Sequence, residues 1–419
     1  MRNGLILTTC MLSLTLGSCV RNPGSETEKR VAAVEHGLLR ELGDPFWTRM
    51  DLSARMEYYG IPGVSVAVID NFEIEWARGY GVLAAGSDEP VTAATLFQVA
   101  SVAKPVVAVA ALHEVENGAL ALDRDVNESL VSWQLPENEF TALGEVTLRR
   151  LLSHNARVTV HGFQGYAEGE AIPTLRQILD GERPANSPAI RVDAVPGALD
   201  RYSGGGYMIV QQLLEDVVGK PFADIMRETV LEPWEMTSAT FAFPLPEHLE
   251  ALAASGHRAN GATIPGGWHI YPEMGSGASM WASASDLARF AIRVMRIYGG
   301  QSDPVLCPDM AIQMLTPQIG NRGLGPSVFD VGDDLFYFIH DGGNEGYRSV
   351  MVAYPERGQG VVILTNGDNG ESLWREILNG VSAEYGWTRD YTGLYVSVVA
   401  GIVVAVLGSV ALYRGRKSK

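Results

Sequence analysis

The residues best suited to chemistry sit in one short stretch, Leu96-Phe97-Gln98-Val99-Ala100-Ser101-Val102-Ala103-Lys104-Pro105. It holds a hydroxyl and an amine three residues apart, Ser101 and Lys104. A helix beginning at Ser101 would put both on one face, one turn apart. A serine hydroxyl is a weak nucleophile until a neighbouring base takes its proton. Lysine becomes such a base when burial or nearby cations bring its pKa from about 10.4 towards 7. Arginine does not deprotonate in proteins and cannot take that role. The chain has 27 arginines but five lysines, and Ser101–Lys104 is its one S-x-x-K. Alone, the pair also fits a helix N-cap serine followed by a surface lysine.

Two later stretches could complete a site. One is Pro196-Gly197-Ala198-Leu199-Asp200-Arg201-Tyr202-Ser203-Gly204-Gly205-Gly206-Tyr207; the other is His340-Asp341-Gly342-Gly343-Asn344-Glu345-Gly346-Tyr347. Taken singly, a glycine-rich turn is usually just a turn. A lone tyrosine or histidine is more often a packed ring or a hydrogen-bonded core residue.

The elements that must position these residues follow from periodicity. Val106 to Leu112 is apolar on nearly every side and predicts a buried helix that holds Ser101 and Lys104 rigidly. Pro105 fits its first turn, where a missing N–H costs little. Gly63 to Ile69 and Glu73 to Gly79 flank Asp70-Asn71 and predict a hairpin. Arg21 to Glu28 is polar and reads as a tether, and Glu28 to Leu42 reads as an amphipathic helix. Residues 120–290 read as helix and loop. They include a helix closing at Leu148 to Leu152, a glycine turn with an apolar helix over Ser203 to Val218, and a capping-box pattern at Ser283 and Asp286. Strands return at Leu335 to Ile339, Tyr347 to Tyr354 and Gly360 to Thr365, before a last helix from Glu371 to Tyr385. Early and late strands are expected to share one antiparallel sheet, covered by the terminal helices, with a helical insert between them.

Charge and cysteine content bound the function. The 419 residues carry a net charge of −17, which repels nucleic acid and makes it an unfavourable partner. Cys10, Cys19 and Cys307 give the main domain no disulfide framework. The eight histidines show no H-E-x-x-H spacing, so neither metal nor cofactor is expected.

The ends of the chain read as addresses rather than fold. Residues 1–19 have a basic start, a hydrophobic run from Leu5 to Leu16, and Gly17-Ser18-Cys19, the pattern of a signal peptide. Leu16-Gly17-Ser18-Cys19 resembles a bacterial lipobox, which makes Cys19 the expected lipidation site. Residues 394–413 run without a charge for about 30 Å as a helix, one bilayer core. The basic tail 414–419 then predicts a cytoplasmic C-terminus and an extracytoplasmic domain in a bacterial membrane. The expected division is signal peptide 1–19, tether and helix 20–44, catalytic domain 45–386, transmembrane helix 394–413 and tail 414–419.

In order and together, the three stretches resemble the serine β-lactamase and penicillin-binding protein superfamily, and most nearly the class C β-lactamase group with its esterase and D-peptidase relatives. That superfamily carries S-x-x-K, then Y-x-N, then K-T-G or H-x-G. Supporting phrases are Leu151-Leu152-Ser153-His154, Pro196-Gly197 and Ser285-Asp286-Leu287-Ala288-Arg289-Phe290. The resemblance covers roughly residues 45–386. It implies an α+β fold of the β-lactamase/transpeptidase type, an antiparallel sheet flanked by helices with an inserted all-helical domain, and the site between the two. It assigns Ser101 as nucleophile, Lys104 as base or electrostatic partner, and Tyr202 as phenolate or proton shuttle. His340 and Gly342 would form the strand edge beside the substrate, with Asn344 following. The amides of Ser101 and Gly343 would form the oxyanion hole.

Two positions depart from that pattern. Gly204 stands where the family has the asparagine of Y-x-N, and His340, partly charged near neutral pH, replaces the lysine of K-T-G. The expected activity is therefore a membrane-anchored serine hydrolase acting on a small-molecule or peptide acyl substrate through an acyl-enzyme. A true β-lactamase and a non-catalytic binder of cell-wall peptide remain as competing readings.

Overall fold

The computed structural model describes residues 23–40, 49–332 and 335–387. Its strands are β1 (Gly63–Asp70), β2 (Glu73–Gly81), β3 (Phe97–Gln98), β4 (Trp281–Ala282), β5 (Ser327–Asp330), β6 (Phe336–Asn344), β7 (Tyr347–Tyr354) and β8 (Gln359–Thr365). Its helices are α1 (Pro23–Glu35), α2 (Leu52–Tyr59), α3 (Lys104–Glu116), α4 (Leu148–Leu152), α5 (Leu175–Asp180), α6 (Gly204–Val218), α7 (Phe222–Met226), α8 (Glu247–Glu250), α9 (Ala284–Tyr298), α10 (Pro308–Met314) and α11 (Gly370–Glu384). The main sheet is antiparallel, in the order β2-β1-β8-β7-β6-β5, and β3 pairs with β4 beside it.

Alternation along the strands divides the apolar residues between two cores. Val64, Val66 and Val68, with Val350, Val352, Val361 and Ile363, join residues of α1, α2 and α11 on one face. Ala67, Ile69, Met351, Ala353, Val362 and Leu364 join α3, α9 and the helical insert on the other. This is the expected arrangement, with early and late strands in one sheet and a helical region between them in sequence.

The hairpin forms one residue later than expected. Asn71 and Phe72 both have positive φ, 53° and 60°, as a two-residue type I′ turn requires. Phe72 tolerates this because its N–H bonds the Gly358 carbonyl at 2.8 Å and its ring lies where a Cβ on Gly358 would stand.

Several boundaries differ from the sequence expectations. From Pro23 onward the polar segment read as a tether is helical, the start of α1, which spans Pro23–Glu35. Arg30 on α1 reaches Asp70 and Glu75, each at 3.2 Å, so the helix is bound to the hairpin. Beyond α1, Leu38 pairs with Met50 in extended form; its burial comes from a bridge, which apolar spacing alone does not separate from a helix. Gly204, Gly205 and Gly206 are the first turn of α6 and not a turn before it, because Ser203 Oγ accepts the Gly206 N–H at 2.9 Å. β5 had no sequence signal. β6 continues through His340 to Asn344, and the hairpin turn is at Glu345-Gly346. The Ser283–Asp286 capping box is present.

Among the described residues no helix is long and apolar enough to cross a membrane. Residues 1–19 with Cys19, the 394–413 segment and the 414–419 tail lie outside the described residues.

Candidate active site

The nucleophile's turn is built by close packing on three sides. Val99 donates its N–H to Met280 O at 3.0 Å, and its carbonyl accepts Ser349 Oγ at 2.7 Å. Ala100 then has φ 49°, a costly conformation for a residue with a Cβ. A 3-10 turn over Ala100–Ala103 carries Ser101 and leads into α3 at Lys104. The α-helix therefore begins at Lys104, three residues later than the spacing suggested. In a 3-10 turn residues i and i+3 eclipse, so Ser101 and Lys104 are brought directly into line.

Lys104 Nζ lies 2.9 Å from Ser101 Oγ and donates to Ser276 O at 2.6 Å. Burial brings the amine down to about 7, with the charge of Asp341 opposing part of the drop. A neutral lysine amine has two N–H groups and one lone pair. With one N–H held by Ser276 O, the lone pair can accept the Ser101 hydroxyl proton. Tyr202 Oη donates to Ser101 Oγ at 2.7 Å. Burial raises the Tyr202 pKa above the usual phenol range, so the group is a neutral phenol and not the phenolate allowed for above.

His154 supports Tyr202 from behind. Its ring lies 4.3 Å from the tyrosine ring, and its Nδ1 accepts the Ser203 N–H at 3.2 Å. Burial holds it neutral. Gly277, at φ 82°, passes so close to the nucleophile's turn that a Cβ there would stand 2.9 Å from Ala103 Cβ. Glu273, three residues before Ser276, is fully buried with no hydrogen-bond partner on either carboxyl oxygen. Burial raises its carboxyl to about 8, so it is protonated at neutral pH.

The opposite wall is β6. A Cβ on Gly342 would lie 2.4 Å from Val99 O and 2.9 Å from Ser101 N. Glycine at 342 is thus what lets the strand touch the nucleophile's turn. Gly343 pairs with Arg348, whose carbonyl accepts Thr365 Oγ1 from β8 at 2.9 Å. Antiparallel alternation then makes Gly343 a non-hydrogen-bonded pair with β7 and turns its N–H to the open edge of β6, beyond Ile339 where β5 stops. The Ser101 amide lies on that side, beside Gly342.

His340 is buried, and its Nδ1 donates to Asp341 O at 2.7 Å. Burial, with the nearby charge of Lys104, pushes it down to about 3. It is therefore neutral at pH 7, where the sequence suggested partial charge, because the sequence does not display burial. Asn344 is buried too, and its Nδ2 donates to Gln98 Oε1 and Ala278 O, each at 2.8 Å. These bonds make the side chain a tie between β6 and the β3–β4 pair.

The cleft between these walls has a volume of about 560 Å³. Gly204 lines it, and a Cβ there would lie 3.1 Å from His161 O and 3.2 Å from the Phe163 ring. The segment His161-Gly162-Phe163 thus crowds the space into which a side chain at 204 would grow. Sequence reasoning missed several lining residues: His161, Phe163, Ser276, Arg322, Phe329 and Tyr337. Arg322 gives Nε to Asp200 at 3.2 Å and Nη1 to Ser327 Oγ at 3.0 Å, and lies 5.7 Å from the Tyr202 ring centre. No local pattern marks it, because its partner is 122 residues away.

Ser101, Lys104, Tyr202, His340, Gly342, Gly343, Gly204 and Asn344 thus all border one cleft. The arrangement joins a hydroxyl, an amine able to accept its proton, a phenol able to donate one, and outward amides at the strand edge. That set is equipped for acyl transfer.

Comparison with known proteins finds relatives over most of the chain. At 24% identity over 337 residues the chain matches Unguisins hydrolase ungD' of Aspergillus campestris, covering 74% of this chain and 59% of that protein's length. Penicillin-binding protein 4 of Amycolatopsis lactamdurans matches at 24% identity over 82% of this chain and 90% of its own. The solved structure of EstCE1, a hydrolase with promiscuous acyltransferase activity, shares the fold with a TM-score of 0.66 at 21% identity, covering 86% of this chain and 99% of its own. The Beta-lactamase family model matches residues 50–379. The chain therefore belongs to the beta-lactamase family and is an enzyme of its serine hydrolase type.

Proposed function

We propose that this enzyme cleaves acyl esters or amides through an acyl-enzyme on Ser101, and turns over simple esters faster than β-lactams. The observation that carries the reading is the position of Ser101 Oγ, 2.9 Å from the buried amine of Lys104 and 2.7 Å from the phenol of Tyr202. Neutral Lys104 takes the Ser101 proton as Oγ attacks the carbonyl carbon. The carbonyl oxygen becomes an oxyanion held by the amides of Ser101 and Gly343. Collapse expels the leaving group, which receives a proton through Tyr202. Water then attacks the ester on Ser101, giving up its proton by the same route, and releases the acid and free Ser101.

The substrate reading rests on what the cleft lacks. A penicillin brings a carboxylate and an amide side chain to the reacting bond. Here the strand cation is a neutral histidine, and the asparagine is Gly204, whose side-chain space is crowded by residues 161–163. Losing a charge-assisted hydrogen bond costs about 1.5–3 kcal/mol and a neutral one about 0.5–1.5. Together that is on the order of 30- to 1,000-fold in binding or rate. A reactive ester needs neither contact. One observation favours the β-lactamase reading instead: the guanidinium of Arg322 borders the same cleft.

The enzyme is further proposed to be membrane-anchored, with its catalytic domain outside a bacterial cytoplasmic membrane. Support comes from the signal-like residues 1–19 with Cys19, the uncharged 394–413 segment and the basic tail. Steady-state kcat/KM for p-nitrophenyl butyrate against nitrocefin tests the substrate reading. The ester is expected to be faster by at least 30-fold, and nitrocefin turnover equal to the ester's restores the β-lactamase.

A further inference from the structure

Among the ionic side chains that line the cleft, one has neither an ion pair nor a side-chain hydrogen bond among the described residues. Lys104 is held by Ser101 and the Ser276 carbonyl. Arg322 is paired with Asp200 at 3.2 Å. Asp341 lines the same cleft from β6, is exposed, and has no ion pair or side-chain hydrogen bond among the described residues.

Its place follows from the strand. His340 and Gly342 are buried on the face that packs against the nucleophile's turn, so Asp341 between them is exposed on the other face, at the end of β6 that borders the cleft. Asp341 and Gly343 are the same kind of pair with β7, so the carboxylate is carried two residues from the glycine whose N–H turns to the open edge. Its charge is felt at the centre of the site, acting on both Lys104 and Tyr202.

We propose that Asp341 is a specificity-determining residue, whose unpaired carboxylate turns away substrates carrying an anionic group along β6 and favours those carrying a cationic group there, an ammonium-bearing ester or amide above all. This rests on the acyl-enzyme reading of the site. It adds a repulsive element where the neutral His340 already withdraws an attractive one, and discrimination is strongest when both act. Arg322 borders the same cleft beside Tyr202 and Ser327, and Asp200 already occupies its Nε. For unit charges roughly 6 Å apart in a half-solvated cleft, the Coulomb interaction corresponds to about 10- to 100-fold in rate or affinity.

The test uses three p-nitrophenyl esters of equal chain length: the hexanoate, the mono-adipate with its terminal carboxylate, and the 6-trimethylammonio-hexanoate. The expected order of kcat/KM is cationic, neutral, anionic, with about 10- to 100-fold between the extremes at low salt and a smaller span at 0.5 M NaCl. In Asp341→Asn the cationic-to-anionic ratio is expected to fall to near 1, and in Asp341→Glu the order is expected to return. Each ratio is internal to one preparation, so a poorly folded variant does not mimic the result. A ratio unchanged in Asp341→Asn, or a wild-type preference for the adipate, overturns the proposal. Dissociation constants of the same three esters for Ser101→Ala read the discrimination without turnover. If no ester acylates the wild-type protein but the affinities keep the expected order, the acyl-enzyme reading fails and the role of Asp341 stands. If turnover occurs and the affinities and rates are all equal, the reverse holds.

Discussion

The two walls of the cleft are made differently. On the helical wall, Lys104 and Tyr202 both bond Ser101, and Ser276 holds Lys104. Their positions are fixed by a buried helix and by backbone packed too tightly to move. On the strand wall, glycines bring the backbone into place, His340 leaves Nε2 without a partner, and Asp341 faces solvent unpaired. The difference separates two tasks. Proton transfer needs distances held to a few tenths of an ångström, so its groups are buried and mutually bonded. Recognition needs groups left open for the substrate, and on this wall the exposed Asp341 is such a group, whereas His340 Nε2 is buried.

Four changes would break or sharpen that comparison. The largest effect belongs to the helical wall. Ser101→Ala is expected to lower kcat/KM for p-nitrophenyl butyrate by on the order of 10⁴-fold or more and to end labelling by a fluorophosphonate probe. Label retained on the variant would place the nucleophile elsewhere. Lys104→Arg is expected to cost about 10³-fold, because arginine keeps the charge but accepts no proton. In the wild type the base works only when neutral, so kcat/KM should rise with pH through the Lys104 value of about 7. A profile flat from pH 5 to 8 would remove lysine from that role.

The strand wall is tested by Gly342→Ala. The added methyl would stand 2.4 Å from Val99 O and 2.9 Å from Ser101 N, both backbone atoms. Strand and turn must part, so thermal stability should fall by about 1–3 kcal/mol and activity by about 10- to 100-fold. A fully active, equally stable variant would mean that the walls need not touch. The smallest effect concerns Glu273, which takes no direct part in either wall. Its folded carboxyl is raised from 4.5 to about 8, so the folded state keeps a proton that the unfolded chain has lost. That contribution is complete below about 4.5 and declines as pH rises to about 8. Glu273→Gln should remove this decline and raise Tm at pH 8 by roughly 3–8 °C relative to the wild type, with little change at pH 4.5. Parallel Tm curves for the two proteins would show that the carboxyl does not titrate as described.

The Ser101–Lys104 turn of the helical wall was legible in the sequence because it is local, whereas Tyr202, 101 residues from Ser101, came from the family resemblance. Ser101 and Lys104 lie in one turn, and the apolar run after them announces its own burial. The same holds for the hairpin at Asn71 and the capping box at Ser283. What was not legible depends on segments distant in the chain. Ser276 and Arg322 reach the cleft on loops without periodicity, and Asp200 meets Arg322 across 122 residues. Taken alone, Gly342 and Gly343 read as a turn, and only the family resemblance put them at a strand edge, because nothing local says that another backbone passes within van der Waals contact of the strand. Charge states were the hardest to read. Tyr202 as a phenol and His340 as a neutral imidazole both follow from burial, which belongs to the folded chain and not to any motif.

The sheet order has a consequence for how the protein is made. β1 is hydrogen-bonded on one side to β2, its neighbour in sequence, and on the other to β8, with Val64 facing Thr365 across nearly the whole domain. The first hairpin to leave the ribosome therefore carries an open edge until the last strand arrives. The helices between them are hydrogen-bonded within their own turns and can begin to form in the meantime. Closing the sheet is then a late, long-range event. Until it happens, the unpaired side of β1 is the surface most exposed to pairing with another chain.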